Sequence, residues 1–453
     1  MQKFGYFFTG PKVKVGMKKA SAAYMTNSIK NLVKTDLVKV SFLNGISTMI
    51  KMATGLISIK IIASVIGPAG IALLGQLNNF SSIVLIFSNG GINSGITKYL
   101  SEYSKSENKY TLFLGTGFWI TAVFSSITGL ALIIGSGYFA ESILHDIKYK
   151  SIFIVFGVTI ILYAFNAFLI AIINGFKDYK SYILSNILGS LVGLVFSVVL
   201  ALKYGLYGAL ISTVTFQSIV FFLTFAIISK SPWCNVKKIT KHFSKDVAVK
   251  LSHFSLMAIV SAITVPGSQM IVRGYITNFS SISAAGLWEG MNRISMMYLF
   301  VIMTSMTVYY IPRLSELRER NELRKEVLSV YKLMIPFLIF SIVIIYFLRD
   351  FLIQLLFTSE FADMNSLFVF QLLGDLLKMS GWLLGSILIA KAMTKVYIIM
   401  ELVNFVNISV LSYFFVKYYG AWGATVAYSI THLIYLVCLA IIFRDLLFNR
   451  KIE

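Results

Sequence analysis

The side chains that could do chemistry in this chain are few, and most lie inside long apolar runs. Glu289, Asn292 and Arg293 follow one another at i, i+3 and i+4, which puts them on one face of a helix. Gln371, Gly374, Asp375 and Lys378 form a second polar and small stripe, continued by Gly381 and Gly385. Lys51, Lys60, Arg273 and Glu401 add charges within or at the ends of apolar segments, and Gln76 and Asn78 add amides. An ionisable group at a bilayer centre costs about 2.5–3.5 kcal/mol on insertion scales, so each one asks for a partner or a purpose.

Glu289 with Arg293 and Asp375 with Lys378 admit two readings: self-satisfied intrahelical pairs, or groups facing a hydrated cavity. Both pairs lie in the second half of the chain with no acidic counterpart in the first, and that imbalance favours the cavity. The candidate substrate or coupling residues are therefore Asp375, Lys378, Glu289, Arg293, Asn292, Gln371, Asn78, Lys60 and Arg273. For Lys60 and Arg273, snorkelling to headgroups competes equally with gating an anion. Lys51 precedes Lys60 by nine residues and points to the opposite face of a straight helix, unless the helix bends near Gly55. Glu401 reads as a structural partner for a basic neighbour, and His253 and His432 as satisfied packing residues. No Gly-Lys-Ser/Thr phosphate loop, metal-ligand spacing or nucleophile constellation is present, so neither catalysis nor a cofactor is expected. Any energy must come from a gradient or from the substrate's own downhill path.

The elements that carry these residues are membrane spans. Hydrophobic residues make up 57% of the 453 and charged residues 13%, against roughly 25% charged in a soluble domain. Twelve apolar windows recur, at 40–66, 69–97, 111–136, 151–174, 181–202, 205–229, 249–273, 281–311, 331–349, 365–390, 396–416 and 421–443, each long enough to span about 30 Å of hydrocarbon. The stretch before them is basic and amphiphilic rather than a cleavable signal, with Met17 and Met25 as alternative starts to Met1. The two cysteines, Cys234 and Cys438, are isolated thiols that imply no disulfide framework.

A net charge of +21 suggests nucleic acid at first, but its distribution does not. With sides alternating at each span, thirty of the forty Lys and Arg fall on the side of the N-terminus. Six fall opposite: Lys148, Lys150, Lys203, Arg273, Arg349 and Lys417. That is the positive-inside pattern with both termini in the cytosol, so the basic excess is a topology signal and no nucleic-acid partner is expected.

The chain also repeats itself. At an offset of 214, Leu73 meets Leu287, Asn78 meets Asn292, and Leu100-Ser101-Glu102 meets Leu314-Ser315-Glu316. At 215, Tyr204-Gly205-x-Tyr207-Gly208-Ala209 meets Tyr419-Gly420-x-Trp422-Gly423-Ala424. Six crossings separate equivalent positions, so the halves run parallel and a pseudo-two-fold axis along the membrane normal relates them. The glycines of the second pair of motifs read as points of close helix approach, and Pro266 as a bend in the seventh span. The expected organisation is a basic cytoplasmic tail at 1–38, a six-helix bundle at 39–230, a cytoplasmic linker at 231–247, a second bundle at 248–445 and a cytoplasmic end at 446–453.

Several stretches resemble the Wzx-type polysaccharide flippases. They are Gly67-Pro68-Ala69-Gly70, Thr97-Lys98-Tyr99, Asn174-Gly175-Phe176-Lys177-Asp178, Ser255-Leu256-Met257-Ala258, Gly286-Leu287-Trp288-Glu289-Gly290 and Ile311-Pro312-Arg313-Leu314-Ser315. The most specific is Gln371-Leu372-Leu373-Gly374-Asp375-Leu376-Leu377-Lys378 with Ile389-Ala390-Lys391-Ala392, following Leu348-Arg349-Asp350-Phe351. The resemblance covers residues 37–445 and points to the lipid III and O-antigen translocase branch of the multidrug/oligosaccharidyl-lipid/polysaccharide exporter superfamily.

The resemblance implies an all-α polytopic membrane protein with two parallel six-helix bundles in a V, a MATE-like fold in the bacterial inner membrane. It also implies an undecaprenyl-pyrophosphate-linked glycan as substrate, translocated by alternating access. Lipids, H+ or Na+, and a complex with a polysaccharide polymerase and chain-length regulator complete the expected partners. Moving a dianion outward through 100 mV, negative inside, is favourable by about 4.6 kcal/mol, from about 2.3 per charge, so ion exchange is not required. The competing reading is a cation-coupled drug or metabolite antiporter of the same superfamily. A scaffold for glycan enzymes is disfavoured by the buried charges and the repeat.

Overall fold

The computed structural model describes residues 36–229, 231, 233, 234 and 243–448, and among them every regular element is helical. The basic tail, most of the linker and the last residues lie outside the described residues, as does the side chain of His253. The helices are α1 (Asp36–Ser88), α2 (Asn93–Tyr103), α3 (Glu107–Ile134), α4 (Ser136–Leu144), α5 (Lys150–Gly175), α6 (Tyr179–Ile228) and α7 (Lys245–Phe279). They continue with α8 (Ile282–Glu316), α9 (Arg320–Phe347), α10 (Arg349–Leu356), α11 (Phe368–Ala390), α12 (Thr394–Ile442) and α13 (Arg444–Phe448). Tight 3-10 stretches at Ile147–Tyr149 and Ser359–Leu367 precede α5 and α11.

Among the described residues, seven helices are long and apolar enough to cross a membrane, or eight when Ile282–Thr304 and Tyr309–Glu316 count as one span. The difference from twelve windows arises largely in α1, α6 and α12, of 53, 50 and 49 residues. At 1.5 Å per residue such a helix would run roughly 75 Å, more than twice a hydrocarbon core of about 30 Å. Each is instead broken at one glycine: Gly67 (φ 63°, ψ −173°), Gly205 (φ 58°, ψ −136°) and Gly420 (φ 57°, ψ −141°). A residue with a Cβ does not settle there, so the glycine is what lets the axis turn. Pro68 opens the next segment, where a missing amide hydrogen costs nothing.

The glycines of the two repeated motifs therefore divide their roles, rather than all serving close approach between neighbouring helices. Gly205 and Gly420 turn the chain. A Cβ on Gly208 would lie 1.9 Å from the Leu200 carbonyl oxygen, and one on Gly423 2.1 Å from that of Phe415, so these two let the departing helix pass the arriving backbone. Pro266 sits inside α7 without ending it.

The breaks recur at a nearly constant spacing. Gly67 and Ser280, Ser104 and Leu317, and Gly135 and Leu348 are each 213 residues apart. Phe176 and Lys391, and Gly205 and Gly420, are 215 apart. The positive-φ residues Lys177 and Ala392 share that second spacing. The internal repeat is thus one of backbone as well as sequence.

Apolar side chains gather into three cores. One draws on both halves, including Ile71, Leu77, Phe153, Trp288, Met291, Phe357 and Phe368, at the end of the molecule where Gly67, Gly205 and Gly420 turn. At the opposite end each half has its own: Ile96, Leu100, Leu114 and Phe168 in the first, Tyr310, Val327, Leu383 and Leu439 in the second. The start of α7 joins the first-half core through Val247 and Leu251, and Ser255 Oγ donates to the Gly90 carbonyl at 2.7 Å. Large apolar side chains such as Trp119, Ile127, Phe222 and Phe340 remain exposed, which hydrocarbon tolerates and water does not.

Candidate functional site: a polar seam and a polar interior

Arg273, near the end of α7, is 2% exposed and bridges the two halves. Its guanidinium donates to Glu289 of α8, and to Gln76 Oε1 of α1 at 2.7 Å. Arg293 Nε, one turn along α8, donates to the other Glu289 oxygen at 3.0 Å. The Trp288 ring lies 5.6 Å from the Arg273 guanidinium, within cation–π range.

Glycine brings α1 this close. A Cβ on Gly286 would lie 1.8 Å from the Pro68 oxygen, and one on Gly75 2.5 Å from the carboxyl carbon of Glu289. Gly75 and Glu289 are 214 residues apart, the spacing that pairs Leu73 with Leu287, so they are repeat counterparts that face one another. Where a glutamate stands on one helix, its counterpart has room only for hydrogen. The absence of an acid opposite Glu289 is thus a consequence of packing, while the counterpart of Asp375, Ile161, is not explained by it.

The second polar group lies within the second half. Asp375 of α11 is fully buried and accepts from the Tyr298 hydroxyl at 2.6 Å and the Tyr428 hydroxyl at 2.8 Å. Among the described residues no ion pair joins it to Lys378, despite the i, i+3 spacing. The Lys378 ammonium lies 5.8 Å from the Tyr428 ring, and His432 meets that ring edge-on at 4.5 Å. Gly374 and Gly381 do not line water; a Cβ on them would strike the rings of Tyr428 and Tyr435 at 2.3 and 2.8 Å. One turn before Asp375, Gln371 Nε2 donates to Asn292 Oδ1 at 3.3 Å. Gln371 Oε1, Asn292 Nδ2 and His432 Nδ1 are buried without a protein partner. Such a group costs about 1–3 kcal/mol unless water or a ligand meets it, and His432 keeps one ring nitrogen without a protein partner.

The structure therefore brings together Arg273, Glu289 and Arg293 at the seam, and beside it places Asn292 against Gln371, with Asp375 and Lys378 following on the same helix. Asn78 does not join them. It is exposed, and its backbone oxygen accepts from Ser82 at 2.9 Å. Lys60 donates to the carbonyls of Gln354, at 2.6 Å, and of Phe357. It caps the C-terminal end of α10, which is neither snorkelling nor anion gating. Glu401 meets the Thr264 hydroxyl at 3.4 Å and, among the described residues, no cation. Tyr298, Tyr428 and Gln76 are the participants that helical spacing does not single out. Among the described residues no cluster of three or more His, Cys, Asp or Glu could hold a metal ion.

Comparison with known proteins gives the arrangement its context. The chain is 29% identical over 399 residues to the lipid III flippase of Escherichia coli K12, covering 88% of this chain and 96% of that protein. The Shigella flexneri lipid III flippase matches to the same extent. Among solved structures, an inward-facing multidrug transporter of the MATE family in the MOP superfamily shares the fold, with a TM-score of 0.73, 14% identity, and coverage of 87% of this chain and 95% of that one. So does the lipid II flippase MurJ in an inward closed conformation, with a TM-score of 0.69, 18% identity, and 90% and 87% coverage. These relatives are flippases and transporters rather than catalysts. The family described as polysaccharide biosynthesis protein matches residues 37–318, well over half of the sequence, and the chain belongs to that family.

Proposed function

We propose that the chain flips an undecaprenyl-pyrophosphate-linked oligosaccharide, of the enterobacterial common antigen or O-antigen kind, from the inner to the outer leaflet of the bacterial inner membrane. The observation that carries this is the cation excess at the seam: two arginines, Arg273 and Arg293, share one carboxylate, Glu289. They do so in a chain similar along nearly its whole length to lipid III flippases. A pyrophosphate needs cations to replace its water, and the second guanidinium and Lys378 offer them.

Reading α1, α6 and α12 as two crossings each gives twelve spans in two parallel bundles, at 39–230 and 248–445, with both termini cytoplasmic. The shared core then lies at the outer end and the separate cores at the inner end. The Arg273–Glu289–Gln76 contact becomes an outer gate that must open for release. Lys60 of α1, donating to carbonyls at the end of α10, is a second tie across the same end. H+ or Na+ exchange at Asp375, potential-driven uniport, and assembly with a polymerase and chain-length regulator all fit this scheme. The antiporter reading draws its support from Glu401, a carboxylate within a predicted span that meets no cation among the described residues.

The test is expression in a bacterium lacking its own lipid III flippase. The chain should restore surface glycan, and Asp375→Ala or Lys378→Ala should abolish that while leaving insertion intact. Normal glycan in both variants would remove these residues from the cavity. A correctly inserted parent chain that leaves the lipid-linked intermediate accumulating would overturn the substrate.

A further inference from the structure

A cavity of about 510 Å³ lies beside the C-terminal end of α10, with Lys60, Asp350, Gln354, Thr358, Ser359 and Asn365 on its wall beside the apolar Ile353, Phe357 and Ala362. Its volume is within the roughly 300–1,000 Å³ usual for small-ligand sites. We propose that it binds an uncharged saccharide. The placing of this subsite on the exit side of the membrane rests on the flippase reading; the binding itself does not.

The wall is built rather than incidental. Lys60 holds the Gln354 and Phe357 carbonyls, Asn365 Nδ2 donates to Asp350, and Arg349 Nε donates to Asn365 Oδ1. Facing the cavity are therefore one ammonium already engaged by two carbonyls, one carboxylate, amides and hydroxyls. Thr358 contributes a buried hydroxyl with no protein partner. An anion would find no unshared cation here and would meet the Asp350 carboxylate. The wall is mixed, with Ile353, Phe357 and Ala362 between the polar groups, and a wholly apolar ligand would match only part of it. A sugar matches both parts: its hydroxyls donate and accept, and its C–H faces suit the apolar side chains.

The repeat supplies a comparison within the same molecule. Arg273 and His145 stand 213 residues from Lys60 and Thr358 respectively, and they line the counterpart cavity together with Gln76 and Gly274. That cavity measures only about 10 Å³. There the cation turns to Glu289 and Gln76 instead of capping a helix. The connection before α5 is the three residues Ile147–Tyr149, whereas the nine residues Ser359–Leu367 help to wall the larger cavity. The cavity is thus particular to the junction of α1 with α10 and is all but absent at the equivalent junction of α7 with α4, so it is not a by-product of the repeated packing.

The test is cysteine protection in the full-length protein, in intact cells and proteoliposomes, with Cys234→Ser and Cys438→Ser as background. Ser359→Cys, or Gln354→Cys as a second position, is labelled by a membrane-impermeant maleimide. The probe is an N-acetylglucosamine trimer, with inorganic phosphate and glycerophosphoethanolamine as controls. Labelling should slow by a factor of 1 + [L]/Kd, about tenfold at nine times Kd, and the controls should not slow it. Thr358→Val should raise the half-protecting concentration about fivefold. A cysteine at Gly137, the repeat counterpart of Asp350, should be unaffected. Equal protection by phosphate or headgroup would make this an anion or lipid site and overturn the proposal. So would absence of protection at both positions up to the solubility limit of the trimer. Glycan export without protection refutes the subsite alone, whereas protection without export supports the subsite and refutes the flippase reading.

Discussion

Glu289 is held by Arg273 from α7 and Arg293 from its own helix, with Gln76 taking the remaining reach of Arg273. Removing one partner of such a buried pair strands the other charge and costs about 3–5 kcal/mol. Glu289→Ala should destabilise the purified protein by that amount in equilibrium unfolding. Arg273→Met with Glu289→Ala should cost less than the sum of the two single changes, with a coupling of about 1–3 kcal/mol. Strict additivity would show that the two side chains do not act together. Gly75→Ala, which drives a methyl into the carboxylate, should cost about 1–3 kcal/mol through overpacking. The pair Glu289 and Arg293 was legible in the sequence because i, i+4 spacing is local. Arg273 and Gln76 lie 197 residues apart and meet only once the halves pack. The helices are apolar on most sides, so nothing marks which of Gln76 and Asn78 looks across the seam. The repeat does carry one overlooked signal: the offset of 214 lays Glu289 on a glycine.

At the scale of elements, the gaps between the predicted windows, at 67–68, 203–204 and 417–420, fall on or beside Gly67, Gly205 and Gly420. Hydropathy dips where the chain turns, so the turns were readable. It could not show that the helix resumes almost at once, because backbone hydrogen bonding runs through a one-residue break. The roles of Gly208 and Gly423 were equally hidden, since a close approach to a carbonyl eight residues earlier exists only after the turn forms. If Gly205 makes a hairpin across the membrane, the two ends of α6 share a side. Cysteines at Lys177 and Ser229 should then both resist an impermeant maleimide in intact cells, while one at Tyr204, 54% exposed, should react. Opposite behaviour of the two ends would make α6 a single crossing.

For the molecule as a whole, one core draws on both halves at one end, and at the other the halves keep largely separate cores joined through the start of α7; under the proposed topology that is a state open to cargo from the cytosol. Net positive charge at the seam and an inside-negative potential act on a pyrophosphate in the same direction. Charge distribution predicts a sidedness, and the repeat predicts parallel halves. Neither shows at which end the halves pack together, because that depends on side-chain packing between segments distant in sequence. The most direct measurement is translocation of a fluorescent undecaprenyl-pyrophosphate-linked oligosaccharide in proteoliposomes holding the oriented protein. Transfer to the far leaflet should exceed that of protein-free vesicles and should rise with a potential negative on the donor side. It should fall at least about tenfold in Arg293→Ala, equivalent to about 1.4 kcal/mol of lost interaction. Transfer no faster than in protein-free vesicles, at any imposed potential, would contradict the account.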